Sequence, residues 1–172
     1  GLSLGIESGF PYEGNVTIEI LNAPQKTLTL KLRQPSWAEE TLITLNDAPF
    51  EHDKQEKRET YHPGRAQWIE ITREWGAGDR LAMDFAMPVR ILKTDPRVKV
   101  TRGKASLVCG PLVYCLESVD NPRLDLFNVA LDPTSLETEF DPDLLGGVRV
   151  IEGGTPTGEK VRLIPYHLWG NR

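Results

Sequence analysis

The chain has 172 residues, of which 39% are hydrophobic, so it can build one ordinary domain or two small ones around a real core. Its 25 acidic residues outnumber its 20 basic residues, and the net charge of −5 would repel a phosphate backbone. We therefore expect no nucleic-acid partner. We also expect no membrane partner, because the longest apolar run, Ala105 to Leu116, is shorter than the roughly 20 residues of a membrane-spanning helix.

The first half of the chain alternates apolar and polar residues with a period of two, which predicts half-buried β-strands. Five runs show the pattern: Val16, Ile18 and Ile20; Leu28, Leu30 and Leu32; Ile43 and Leu45; Ile69 and Ile71; and Leu81, Met83, Phe85 and Met87. Turn-forming residues separate the runs, among them Asn46 to Pro49 and Gly76 to Asp79, and the second of these is predicted to close a hairpin. Short strands at regular intervals indicate a β-sandwich.

The stretch from Glu51 to Arg65 is polar, carries charges of both signs and has no apolar periodicity. It is predicted to be an exposed loop between two strands, and a lid with a function is the alternative.

Near Lys93 to Pro96 the apolar–polar alternation stops and a proline appears beside clustered charge. This predicts a boundary that divides the chain into subdomains 1–94 and 95–172. Further strands are predicted at Ala105 to Glu117, Leu124 to Leu131, Val148 to Ile151 and Val161 to Ile164. The run Ala105 to Leu116 is apolar on both faces, so it is predicted to be a central strand with a bulge or bend at Gly110-Pro111. The fold class is therefore all-β, with two consecutive jelly-roll-like β-sandwich subdomains.

The search for catalytic chemistry assigns no catalytic, cofactor-binding or metal-binding residue. His52, His62 and His167 lack the spacing that brings two imidazoles to one metal ion. Cys109 and Cys115 would lie about 20 Å apart in one extended strand, so they are predicted to be small buried hydrophobic residues; a disulfide would require a tight turn at Gly110-Pro111.

Two pairs of carboxylates have a spacing that could serve glycoside hydrolysis, which generally uses two such groups. They are Asp141 with Asp143 and Glu137 with Glu139. With 25 acidic residues in the chain, such spacings also arise by chance, so neither pair is assigned a role.

Aromatic residues are better candidates for a ligand surface, because flat rings stack on the faces of sugars. The available rings are Trp37, Tyr61, Trp68, Trp75, Tyr166 and Trp169. Each can instead serve a core or an interface, where aromatic side chains bury large areas. We predict that Trp37 and Trp75 close the ends of strands, whereas Tyr166 and Trp169 could face residues beyond Arg172.

Several short motifs occur in an order that resembles the C-terminal part of glycoside hydrolase family 127, the β-L-arabinofuranosidase family. They are Phe10 to Val16, Leu32 to Ala38, Leu45 to Asp47, Trp75 to Asp79, Met87 to Arg90, Gly110 to Tyr114 and Ile164 to Tyr166. Asp47 replaces the glycine that is usual in the family. Each motif is weak by itself, but the ordered combination is specific.

The resemblance implies an all-helical (α/α) barrel followed by β-sandwich domains, of which this chain would be the latter. In that family a cysteine nucleophile in a zinc-bound cluster lies in the barrel, so zinc is expected only there, and Cys109 and Cys115 receive no role. The family also continues past Asn171-Arg172, so the second subdomain is expected to be incomplete.

The predicted function is therefore a non-catalytic accessory region that supports the catalytic barrel of a longer glycoside hydrolase. The resemblance implies that the parent protein hydrolyses β-L-arabinofuranosides of plant cell-wall glycans. The expected partner is the missing barrel, with those glycans as a further candidate. A carbohydrate-binding module and a protein interaction or oligomerisation domain are the alternatives, and the sequence assigns no cellular compartment.

Overall fold

The computed structural model of the chain describes residues 1–38, 40–51 and 67–171. Within these ranges the regular structure consists of thirteen β-strands and three short 3-10 helices, which confirms the all-β prediction. No helix in these ranges is long and apolar enough to cross a membrane. The predicted loop Glu51 to Arg65 lies outside the described residues, except for the exposed Glu51. The chain divides into two compact units, Gly1–Met87 and Pro88–Arg172.

The first unit contains two antiparallel sheets. Five strands pair in the order β1-β2-β7-β4-β5, and β3 pairs with β6 in a separate two-stranded sheet. The strands are β1 (Ser3–Ser8), β2 (Asn15–Asn22), β3 (Thr27–Gln34), β4 (Thr41–Leu45), β5 (Ala48–Pro49), β6 (Gln67–Glu74) and β7 (Arg80–Phe85).

Alternate side chains of both sheets form the core of the first unit, as the period-two pattern predicts. The buried strand residues are Ile20, Leu32, Ile43, Ile69, Ile71, Leu81, Met83 and Phe85, and Ala38 and Trp75 join them from the segments after β3 and β6. Within the two-stranded sheet, Leu30 lies opposite Ile71 and Leu32 lies opposite Ile69. The sandwich predicted for this part of the chain is therefore held together by the apolar residues that the sequence pattern identified.

The predicted turn after β4 is a two-residue loop, because Leu45 pairs with Ala48. Its central residues, Asn46 and Asp47, have φ values of 51° and 63°. Asparagine and aspartate tolerate this left-handed region better than most residues, which explains why Asp47 can stand where the family usually has glycine.

The turn Gly76 to Asp79 does not close a hairpin, so that prediction is wrong. It joins β6 of the two-stranded sheet to β7 of the five-stranded sheet. The turn is fixed by bonds to other elements: the amide of Ile20 donates to the carbonyl of Asp79, and the amide of Gly78 donates to the carbonyl of Ile20. These contacts to β2 redirect the chain from one sheet to the other.

The carboxylate of Asp79 stabilises the same turn. It accepts hydrogen bonds from the backbone amide of Gly76 at 2.9 Å and from the side-chain amide of Asn46 at 2.8 Å. These bonds, with a smaller contribution from the charge of Arg73, lower the pKa of Asp79 below its ordinary value. The ionised form is therefore the one that links this turn to the loop after β4.

Trp75 and Trp37 close the ends of the first unit, which confirms their predicted structural role. Trp75 directly follows β6 and is only 5% exposed. Its indole nitrogen donates to the carbonyl of Leu28 at 3.1 Å, and the guanidinium of Arg73 lies 5.3 Å from its ring centroid. The partly buried Trp37 contacts the ring of Phe85, with centroids 5.9 Å apart.

Substitution of Trp75 by phenylalanine is expected to destabilise the first unit by about 1 to 2 kcal/mol, because it removes the bond to Leu28 and weakens the contact with Arg73. Urea denaturation followed by circular dichroism measures this loss. Trp68→Phe is the matched control, because the side chain of Trp68 is mostly exposed, and it should change stability by less than about 0.5 kcal/mol. Equal effects of the two substitutions would contradict the assigned role of Trp75.

The second unit contains one six-stranded antiparallel sheet. Its strand order is β11-β12-β13-β10-β9-β8. The strands are β8 (Val89–Lys93), β9 (Ala105–Cys109), β10 (Leu112–Leu116), β11 (Glu137–Asp141), β12 (Val148–Gly154) and β13 (Lys160–Pro165). Strand β8 precedes the boundary predicted at residues 94 and 95, and it pairs with β9 of this unit.

The prediction of one central strand from Ala105 to Leu116 is wrong. The segment forms a hairpin in which Cys109 lies opposite Leu112, with Gly110 and Pro111 as the two loop residues. Gly110 has a φ of 55°, which glycine adopts at little cost, and proline supplies a fixed negative φ at the next position. A two-residue loop that starts with glycine at positive φ joins antiparallel strands, so Gly110-Pro111 makes a reversal instead of a bulge.

The strand predicted at Leu124 to Leu131 is also absent, since this segment consists of turns and irregular chain. The carboxylate of Asp125 accepts hydrogen bonds from the backbone amide of Phe127 and from the side-chain amide of Asn128. Such local side-chain bonds compete with the pairing of strands, and they hold the chain in a turn although its apolar content is typical of a strand.

Candidate functional site

A groove of about 1180 Å³ lies on one face of the six-stranded sheet in the second unit. One wall is made by apolar side chains of the sheet, including Ile91, Leu107 and Leu163. The other wall is the irregular segment between Ser118 and Leu131, which follows β10. A groove with mainly apolar walls and a few polar groups has the general character of a ligand site.

Buried polar side chains fix the end of this groove. Asn121 is 3% exposed, and its side-chain amide donates at 2.8 Å to the carbonyls of both Glu117 and Arg162. Its side-chain oxygen accepts from the amide of Arg162 at 2.9 Å. Asn121 therefore ties the segment after β10 to strand β13 by two hydrogen bonds to Arg162, and its third bond, to Glu117, fixes the turn within that segment.

Glu117 connects the same region to the end of the chain. It is 8% exposed, lies among the groove residues, and one of its carboxylate oxygens accepts from the backbone amide of Gly170 at 2.6 Å. A hydrogen bond from a backbone amide to a carboxylate is stronger than one between neutral groups. Glu117 thus positions the short 3-10 helix Tyr166–Leu168 and the residues that follow it.

Two aromatic rings extend from this 3-10 helix into solvent. Tyr166 and Trp169 are 58% and 60% exposed, and their rings are parallel within 6° at a centroid distance of 6.1 Å. Trp169 also lines the groove. On the opposite wall, Phe127 is 95% exposed at the turn that Asp125 stabilises. Exposed aromatic side chains therefore surround the groove.

The two carboxylate pairs that were considered from the sequence do not lie in this groove. Asp141 forms an ion pair with Arg162 and accepts bonds from the amides of Asp143 and Leu144, so it fixes the turn after β11. The hydrogen bond from Arg162 is the largest cause of a pKa of Asp141 below its ordinary value. Glu137 and Glu139 are exposed residues of the edge strand β11.

The cysteines are thiols in the structure. Cys109 is buried and Cys115 is partly buried. Because Leu112 lies opposite Cys109, and Cys115 follows Leu112 by three positions, the two cysteines lie on opposite faces of the hairpin. Burial raises the pKa of the Cys109 thiol, so this residue is predominantly protonated at neutral pH.

Metal-ligating residues are not clustered in the described parts of the chain: residues 1–38, 40–51 and 67–171 contain no group of three or more His, Cys, Asp or Glu side chains arranged to hold a metal ion. His167 is exposed in the 3-10 helix after β13, whereas His52, His62 and Tyr61 lie outside the described residues.

The sequence analysis missed Glu117, Asn121 and Phe127. The residues around Asn121, Asp120-Asn121-Pro122, have the composition of a turn, and the burial of Asn121 depends on a contact with β13 about forty residues later. Glu117 was assigned to the end of a strand, and its partner Gly170 is equally remote in sequence. Of the three exposed rings near the groove, Tyr166 and Trp169 are among the six rings that the sequence offers as a ligand surface, and Phe127 is not.

Two family descriptions match the chain, and they divide it at nearly the same place as the structure. Residues 1–87 match the middle domain of β-L-arabinofuranosidases of glycoside hydrolase family 127. Residues 89–172 match the C-terminal domain of glycoside hydrolase family 127.

Individual relatives agree with these matches. A non-reducing end β-L-arabinofuranosidase of Bifidobacterium longum subsp. longum is 27% identical to the chain over 201 residues. The crystal structure of a family 127 β-L-arabinofuranosidase from Geobacillus stearothermophilus T6 superimposes with a TM-score of 0.84 at 32% identity. Another family 127 β-arabinofuranosidase structure gives a TM-score of 0.80 at 26% identity.

These relatives are much longer than the chain. The alignment to the Bifidobacterium protein includes 100% of this chain but 29% of that protein, and the Geobacillus structure is matched over 99% of this chain and 29% of its own length. The region of similarity is thus the middle and C-terminal domains, in the order predicted from the sequence motifs. The chain belongs to glycoside hydrolase family 127, of which it represents the middle and C-terminal domains.

Proposed function

We propose that the chain is the accessory part of a longer family 127 glycoside hydrolase, in which its two β units support a catalytic helical barrel. The observation that carries the proposal is the pair of consecutive family matches over residues 1–87 and 89–172, combined with relatives of which the chain covers only 29%. The parent protein would hydrolyse β-L-arabinofuranosides, as the named relatives do, and zinc would be bound by the barrel.

The chemistry of the described residues supports a structural role. Of the carboxylates considered as catalytic pairs, Asp141 is engaged by Arg162, and Glu137 and Glu139 lie on an exposed edge strand. The carboxylate of Glu117 holds the amide of Gly170. Asp141 and Glu117 thus stabilise a turn and the segment around Gly170, whereas hydrolysis of a glycoside needs an acid and a nucleophile or base positioned across one bond.

The proposal can be tested with a chromogenic β-L-arabinofuranoside. An antibody raised against this chain should capture, from lysate of the source cells, a polypeptide that releases the chromophore. The purified 172-residue chain, folded by circular dichroism, should release none above a buffer blank.

Hydrolysis by the purified chain would overturn the accessory role, and it would direct attention to acidic residues of the chain itself. Captured polypeptide that leaves the arabinofuranoside intact would overturn the proposed activity of the parent. A mock capture with pre-immune antibody controls for unrelated glycosidases in the lysate.

A further inference from the structure

The aromatic pair at the end of the second unit is held in place before any ligand binds. The amide of Trp169 donates to the carbonyl of Tyr166 at 3.1 Å, and the next amide, that of Gly170, donates to the buried carboxylate of Glu117. Pro165, which precedes the pair, is among the fully buried side chains. The backbone below both rings is therefore fixed, and binding to the rings would require little further loss of conformational entropy.

The composition of the adjoining groove favours a ligand with both apolar and polar groups. Trp169 lines the groove together with aliphatic side chains, but Lys104, Ser118 and Asp125 also belong to its lining. A wholly apolar partner would remove these polar side chains from water without replacing their hydrogen bonds, which is costly. Tyrosine and tryptophan likewise combine an apolar ring with one polar atom, and they suit surfaces that stay partly wet.

Carbohydrates match this arrangement, because a sugar has C–H groups that can lie against a ring and hydroxyl groups that can bond to polar side chains at the rim. The charge of the lining also limits the class of sugar. Glu117 and Asp125 contribute two carboxylates against the single ammonium of Lys104, so an acidic sugar would meet net repulsion. A neutral oligosaccharide is therefore the best match.

We propose that the second unit binds a neutral oligosaccharide, with one sugar against the Trp169 ring, which the parallel Tyr166 ring supports, and its neighbour in the groove beside Ser118 and Asp125. The site is a binding site and not a catalytic one. It would retain the polypeptide on a glycan, a property separate from support of a barrel. The inference rests on the geometry of the second unit and does not require the proposed accessory role, so each can fail independently.

Isothermal titration of the full 172-residue chain with neutral arabino-oligosaccharides tests the proposal, and cello-oligosaccharides test whether another neutral sugar is accepted. Saturable binding of at least one neutral series is expected, with weaker binding of oligogalacturonate. Trp169→Ala should reduce affinity by about tenfold or more, as loss of a central aromatic contact commonly does. Tyr166→Ala is the second variant, in case the first does not fold.

Trp68→Ala provides a matched control, because Trp68 lies in the first unit and its exposure of 59% nearly equals the 60% of Trp169. This variant should bind as the unsubstituted chain does. The proposal would be overturned by an absence of saturation with both neutral series at concentrations up to about 10 mM, or by equal losses in Trp68→Ala and Trp169→Ala. A third result would also overturn it. If sugars fail to bind, and the chain shows a concentration-dependent mass in sedimentation that Trp169→Ala abolishes, the rings contact a second protein molecule and not a sugar.

Discussion

Substitution of Gly14 by alanine is expected to unfold the first unit or to destabilise it by more than about 3 kcal/mol. A Cβ atom at Gly14 would lie 2.0 Å from the carbonyl oxygen of Phe85 and 2.9 Å from its carbonyl carbon. Both are backbone atoms, so no flexible side chain can move aside. The same two residues are joined by a hydrogen bond from the amide of Phe85 to the carbonyl of Gly14 at 3.1 Å, and relief of the clash would break it.

Thermal denaturation measures the effect of Gly14→Ala, and the melting temperature of the first unit should fall by more than about 10 °C. Gly76→Ala is the matched control in the same unit, because the nearest atom to its added Cβ would be the Asp79 carboxylate at 3.9 Å. This variant should melt close to the unsubstituted chain. If both alanine variants melted alike, the close approach of β2 and β7 at Gly14 would be refuted.

The second large effect is expected for Asn121→Ala, which should destabilise the second unit by about 2 to 4 kcal/mol. The substitution removes three side-chain hydrogen bonds and leaves the carbonyl and amide of Arg162 without these partners in a region from which water is largely excluded. A buried polar group without a partner costs more than the mean hydrogen bond contributes, because its desolvation is no longer compensated.

Urea denaturation of the second unit, followed by amide signals in nuclear magnetic resonance spectra, measures this loss separately from the first unit. The control is Asn128→Ala. Asn128 is exposed, and its side-chain amide donates to the carboxylate of Asp125 at 2.6 Å. It should cost less than about 1 kcal/mol. A cost for Asn121→Ala no greater than that of the control would contradict the link that Asn121 makes between the segment after β10 and β13.

The strands of the first unit were predictable because each buries one face, so that apolar residues recur at every second position. Ile69 and Ile71 pair with Leu32 and Leu30 as that alternation requires. The pairing of strands was less predictable. The turn Gly76 to Asp79 has the composition of a hairpin, but its hydrogen bonds to β2 carry the chain to the other sheet, and no local pattern contains that information.

In the second unit, turn-forming residues determine the backbone of two apolar segments. Ala105 to Leu116 has apolar residues on both faces, yet the positive φ of Gly110 turns it into a hairpin. Leu124 to Leu131 is rich in apolar residues, yet the Asx-type bonds of Asp125 keep it out of the sheet. In both segments, turn-forming residues determine the backbone although the apolar content is typical of a strand.

The candidate groove could be predicted only in part. Tyr166 and Trp169 were identifiable because two aromatic residues follow Ile164-Pro165 outside any apolar alternation. Glu117 and Asn121, which fix the groove, bond to Gly170 and Arg162, residues that are 53 and 41 positions away. Such pairings are properties of the folded chain, so the sequence pattern could not reveal them.

The size of the native polypeptide tests the account most directly. An immunoblot of source-cell lysate, with an antibody raised against this chain, should show a band several times heavier than 19.3 kDa, because the chain spans only 29% of the relatives that it matches. A single band near 19.3 kDa would contradict the account, since two β units that occur alone have no barrel to support.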